Sequence, residues 1–230
     1  KNNNQNFSIL DYKSAELIKY VDNLWHATKV VFANEVARLG LSENINPRAI
    51  MECFIQDKKL NISEKYLRPG NAFGGSCLPK DVASINYISR KNKIMTPLFS
   101  SIEKSNNNHI DLIYRQIKSF SQKKIGFYGI SFKPDTDDCR ESPIIKIISK
   151  LIKNKNKKIM IYDNKVQLSK LMGGNKEYLE NLIKNPEKYF CHNLNDLFKF
   201  SEIIITNKKT KINKSLRKDI KIINVDSFFN

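Results

Sequence analysis

KKIGFYGI (residues 123–130) is a short run rich in β-formers, and three more follow it: KKIMIYD (157–163), EIIITN (202–207) and KIINVD (221–226). Helical spacing fills the intervals, as at Pro143–Lys153 and Leu194–Phe200. Strands that alternate with helices are joined by right-handed crossovers and pair in parallel, which predicts a Rossmann-like sheet over residues 121–230. The segment LMGGNKEYLENLIKNPEK (171–188) breaks this rhythm and reads as a helical insertion.

Upstream of residue 121 the period is that of a helix. From Tyr12 to Leu39, Leu17, Val21, Leu24, Thr28, Val31 and Val36 recur at steps of three to five, and Gly40 supplies a stop. Pro47, after Asn46, suits the first position of a second helix ending near Ile55. A loop of small residues, Arg68–Pro79, precedes a helix from about Lys80 to Arg90. Pro97 opens another that runs to about Phe120. The expected class is α/β: a helical domain over 1–120, then the Rossmann-like parallel-sheet domain over 121–230.

The 230 residues carry 40 Lys+Arg against 23 Asp+Glu, a net charge of +17. Only seven of those cations are Arg, and the Lys residues are dispersed through every segment. A nucleic-acid surface gathers its cations on one face and uses Arg forks, so no nucleic-acid partner is expected. No run of ~18 apolar residues is present, so no membrane span is expected either. Cysteines 53, 77, 139 and 191 and histidines 26, 109 and 192 stand far apart, without disulfide-framework or zinc spacing. That points to a reducing compartment, the cytoplasm. The opening KNNNQNFSIL has neither an initiating Met nor a signal-peptide core, so the chain is read as part of something longer.

The chemistry concentrates in Arg68-Pro-Gly-Asn-Ala-Phe-Gly-Gly-Ser-Cys-Leu-Pro-Lys-Asp81. Three glycines within six residues let the backbone turn and approach a ligand. Cys77 precedes a helix start, where the helix's positive end and a nearby Lys favour a thiolate. Lys80 and Asp81 add a cation and a base one turn on. A lone G-G-S-C would be a turn around a buried thiol, but the full string is more specific than that. Lys19, Asn23 and Asn34 fall close to one face of the first helix. Gly129-Ile-Ser-Phe-Lys-Pro-Asp-Thr-Asp-Asp-Cys-Arg-Glu-Ser-Pro143 joins the first strand to its helix, with Ser142 as N-cap and Pro143 at N1.

These three stretches, in this order and spacing, resemble the UDP-glucose/GDP-mannose dehydrogenase family, whose nucleophile motif reads G-x-x-F-G-G-S-C-x-P-K-D. The resemblance implies NAD-dependent oxidation of a sugar C6 alcohol to a carboxylate in two hydride transfers, for polysaccharide biosynthesis. It makes Cys77 the nucleophile, Lys19 the stabiliser of oxyanions, Asn23 the residue that orients sugar or water, and Asp81 the activator of water. It assigns His26, Asn34, Tyr66, Arg68 and Lys133 to the nucleotide sugar, and Lys80 and Arg140 to the cofactor. It implies a homodimer built on the long helix. Trp25-His26, Tyr66-Leu-Arg-Pro-Gly70 and Leu78 look most like the branch that oxidises GDP-mannose; the UDP-glucose branch is the alternative, as is a non-catalytic dimer that only binds nucleotide sugar. Lys65 and Asn71 depart from the GDP-mannose pattern. The chain contains no G-x-G-x-x-G, only Gly126-x-x-Gly129, so the N-terminal NAD-binding domain of the family is read as absent from these 230 residues.

Overall fold

The structure, a computed structural model, describes residues 9–15, 18, 25, 28, 32, 35–36, 39–60, 70–132, 136–207 and 220–229. It is a mixed α/β chain that divides into two compact units. One comprises Lys1–Ser63 with Ile88–Phe99, the other Glu64–Tyr87 with Ser100–Asn230.

In the first unit, described positions 12–15, 18, 25, 28, 32, 35–36 and 39–42 are helical. Gly40 does not stop this helical run. Helix persists to Ser42, and Asn44 makes the turn in the left-handed conformation (φ 57°), which Asn tolerates better than most side chains. The Ile45 N–H then donates back to the Gly40 carbonyl at 2.8 Å. Helix α1 (Pro47–Phe54) starts as expected: the Asn46 side chain accepts from the Arg48 and Ala49 amides at 3.0 and 3.3 Å, leaving Pro47 where no N–H is needed. Glu35 is buried, and its two carboxylate oxygens accept the Leu98 and Phe99 amides at 2.9 and 3.1 Å. A carboxylate thereby satisfies the first turn of the helix that Pro97 opens. Phe32 packs edge-on to Phe99, with ring centroids 5.8 Å apart.

Helices α2 (Leu78–Lys91) and α3 (Pro97–Ser119) each contribute to both units. The second unit is built on strands β1 (Lys124–Tyr128), β2 (Lys158–Tyr162), β3 (Ile203–Thr206) and β4 (Lys221–Asn224), all parallel and in the order β2-β1-β3-β4. Helix α4 (Pro143–Asn154) connects β1 to β2. Helices α5 (Gly173–Leu182) and α6 (Leu194–Phe200) lie between β2 and β3. Alternation along the strands sorts the two faces. Ile125, Phe127, Ile161, Ile203 and Ile205 share a core with Ile144, Ile147, Ile148 and Leu151 of α4, Ile113 and Ile117 of α3, and Leu179 of α5. The opposite face packs Ile204 and the flanking Ile220 against Leu197 and Phe198 of α6. The strand order reverses between β1 and β3, so the segments leaving β1 and β3 bound the crevice where open α/β sheets bind ligands.

Candidate active site

Cys77 closes the glycine loop and sits directly before α2; its carbonyl accepts the Asp81 N–H at 2.9 Å, the first turn of that helix. Its side chain is exposed, and its sulfur lies 3.8 Å from the Ser76 hydroxyl. Three distant side chains fix the loop. The Asn106 carboxamide accepts from the Phe73 N–H and donates to the Phe73 carbonyl, both at 2.9 Å. His109 Nε2 lies 2.8 Å from the Gly70 carbonyl, and Asp226 accepts the Asn71 N–H at 2.9 Å.

The loop lies directly on the β1–α4 connection. A Cβ on Gly74 would stand 2.2 Å from the Glu141 carbonyl oxygen, so only glycine permits this approach. Gly75 adopts φ 83° with a Phe132 ring where a Cβ would be. The two sequence motifs therefore meet, and between them lies a cavity of about 440 Å³ whose walls include Ser76, Pro79, Lys80, Arg140, Glu141 and Tyr178.

Lys80 and Asp81 form an exposed ion pair at 3.3 Å, consistent with a cation and a carboxylate that remain accessible beside the thiol. Arg140 forks onto Asp138, with Nε to Oδ1 and Nη2 to Oδ2 both at 2.9 Å. That fork, and then the Asp138 charge, raise the Arg140 pKa further; Cys77 and Asp137 act in the same direction more weakly. Two oppositely signed groups also border the cavity, Glu103 and Glu141.

Of the expected site residues, the structure brings Cys77, Lys80, Asp81 and Arg140 into one neighbourhood; Lys19, Asn23, His26, Asn34, Tyr66, Arg68 and Lys133 lie outside the described residues. Ser142 occupies the N-cap position of α4 but makes no side-chain cap bond. Its hydroxyl instead donates to the buried Ile130 carbonyl at 2.7 Å, because the loop folds inward there. The apolar neighbours Ile50, Met51 and Phe54 predict a buried Cys53, but the thiol is exposed: α1 is short and turns that position outward. A larger cavity, about 550 Å³ at the end of β2, is bordered by Asp163, Gln167, Glu187 and His192 and holds none of the expected site residues. Among the described residues, no cluster of His, Cys, Asp and Glu suits a metal, and no helix is long and apolar enough to cross a membrane.

The sequence pattern of the UDP-glucose/GDP-mannose dehydrogenase family, central domain, matches residues 13–108, and that of the same family's UDP binding domain matches residues 126–221. The chain belongs to this family. Among its relatives, the GDP-mannose 6-dehydrogenase of Pseudomonas putida is 40% identical over 191 residues, 83% of this chain and 43% of that protein. The UDP-glucose 6-dehydrogenase YwqF of Bacillus subtilis is 36% identical over 145 residues, 61% of this chain and 32% of that protein. The crystal structure of a ternary complex of GDP-mannose dehydrogenase from Pseudomonas aeruginosa superposes with a TM-score of 0.81 at 34% identity, covering 92% of this chain and 49% of that one. The chain thus spans less than half the length of the curated relatives it matches. The expected α/β class, helical then parallel-sheet, holds within this family.

Proposed function

We propose that this chain supplies the thiol and nucleotide-sugar portions of an NAD-dependent GDP-mannose 6-dehydrogenase, acting as a homodimer in the cytoplasm. The observation that carries the reading is the meeting of the Cys77 loop with the Arg140 segment around one cavity. The greater identity to GDP-mannose than to UDP-glucose enzymes supports the choice of sugar. The domain division proposed is 1–120 for the helical, dimer-forming part and 121–230 for the nucleotide-sugar part.

Two cations, Lys80 and Arg140, border the cavity that Ser76, the residue before Cys77, also lines, a donor set suited to the anionic part of a dinucleotide. NAD would accept one hydride in each of the two oxidations, of the C6 alcohol to the aldehyde and of the adduct to the thioester, a second molecule replacing the first between them. The residues of this chain do the remaining work. The Cys77 sulfur adds to the C6 aldehyde, the carbonyl oxygen gaining a proton, and the resulting thiohemiacetal makes the carbon tetrahedral and able to release a hydride. Loss of that hydride and of the hydroxyl proton leaves a thioester. Asp81 takes a proton from water as it attacks; the C–S bond breaks, and the acid and the thiol are restored. Lys19 opposes charge on the oxygen, Asn23 orients the sugar or water, and His26, Asn34, Tyr66, Arg68 and Lys133 hold the nucleotide sugar.

Calorimetry of the 230-residue chain tests this. GDP-mannose should bind, and more tightly than UDP-glucose, while the chain alone should reduce no NAD, since it carries no dinucleotide fingerprint. Tighter UDP-glucose binding would reassign the sugar. Absence of binding to either would remove the nucleotide-sugar reading.

A further inference from the structure

The segment read from sequence as an insertion places Asn175 in the first turn of α5 (Gly173–Leu182), against the β1–α4 connection. Its Oδ1 accepts the Cys139 N–H at 2.7 Å, and its Nδ2 donates to the Asp137 carbonyl at 2.7 Å. One carboxamide thus pairs two backbone groups, N–H and C=O, much as a neighbouring strand would. A carboxamide supplies the acceptor and the donor from two separate atoms, Oδ1 and Nδ2, as the two backbone groups require.

We propose that Asn175 is a positioning residue for the cavity beside Cys77, holding the 137–139 backbone so that Arg140 borders that cavity. The inference deepens the proposed cofactor contact of Arg140 and rests on it. The chain of contacts is short. Asp138, between the two clamped residues, accepts from Nε and Nη2 of Arg140 and also from its backbone N–H at 3.1 Å. The Phe132 N–H donates to the Asp138 carbonyl at 2.8 Å and the Cys139 side chain is fully buried, so the backbone beneath Asp138 is held from three sides. The Arg140 side chain is half exposed, and its placement rests on the Asp138 carboxylate. Without Asn175, the Cys139 N–H and Asp137 carbonyl lose these partners and the platform under Asp138 loses one of its three supports. Asn106 performs the same two-bonded clamp on Phe73 across the loop, so both walls of the cavity are set by a carboxamide gripping backbone.

The test reads positive charge at Cys77 in the 230-residue chain, with Cys53→Ser removing the other exposed thiol. The ratio of Cys77 alkylation rates with iodoacetate (anionic) and iodoacetamide (neutral), mapped by mass, reports local potential and cancels general thiol reactivity. Arg140→Ala should lower the ratio about two- to threefold, the scale of one partly screened charge nearby. Asn175→Ala, and Asn175→Ser as a second variant, should lower it equally, and Asn175→Ala with Arg140→Ala should lower it no further. A parental ratio in both Asn175 variants, with Arg140→Ala lowered, overturns the inference and leaves the role of Arg140 standing. An additive double variant also overturns it. A parental ratio in Arg140→Ala removes the reading of Arg140 and the inference with it.

Discussion

Cys77 follows Ser76 and Cys139 precedes Arg140, two residues that line one cavity, yet the Cys77 thiol is exposed and the Cys139 thiol is buried. Burial, and then the charges of Asp163, Asp138 and Asp137, push the Cys139 thiol up to about 12. The sequence order Asp-Asp-Cys-Arg suggests neighbouring carboxylates as the main cause; the fold makes burial the larger one. Below the ordinary thiol value of ~8.5, native and unfolded chains both hold this proton, and the contribution to stability is full. Between there and about 12 the unfolded chain gives it up while the native chain keeps it, so stability falls as pH rises. Urea midpoints should therefore drop across that window, and Cys139→Ala should flatten the drop; an identical slope in the variant would contradict it. Iodoacetamide near neutral pH should label Cys77 and Cys53 in the folded chain and reach Cys139 only in denaturant. Labelling of Cys139 ahead of Cys77 in the native state would contradict the assignment. The Cys77 string was legible because its glycines, thiol, lysine and acid are contiguous. The exposure of Cys53 was not, since a one-sided apolar pattern over eight residues leaves the flanking positions undetermined. Nor were Asn106, Asn175 and Asp226, whose partners lie 33 to 155 residues away.

At the scale of elements, apolar patterning and a Pro, Asn or Gly near the boundaries located the four strands and α1 to α4 to within a few residues. What sequence could not carry was the use of a side chain from one helix to begin another. Glu35 does this for α3, where its carboxylate meets the Leu98 and Phe99 amides. Glu35→Ala should cost about 1–3 kcal/mol, since the two amides lose a charged acceptor and a buried space opens. Urea denaturation measures it, and a midpoint equal to the parent's would show the cap to be dispensable. Ser142 takes the expected N-cap position before Pro143, but long-range packing, which local pattern does not carry, turns its hydroxyl to the buried Ile130 carbonyl.

For the whole molecule, the family assignment rests on motifs spread over both halves of the chain, and the proposed dimer rests on the N-terminal helical run. Tyr12, Ile18, Trp25 and Leu41 are exposed there, apolar surface of the kind that a second copy would cover. Sedimentation at tens of micromolar should give a dimer; a monomer would remove that element of the proposal. The central claim is that acid formation passes through the Cys77 thiol. Expressed from its full reading frame, the protein should convert GDP-mannose with NAD to the C6 acid, with Cys77→Ala lowering acid formation at least a thousandfold, because no adduct then forms to release the second hydride. A Cys77→Ala protein that still makes the acid at the parental rate would contradict the account.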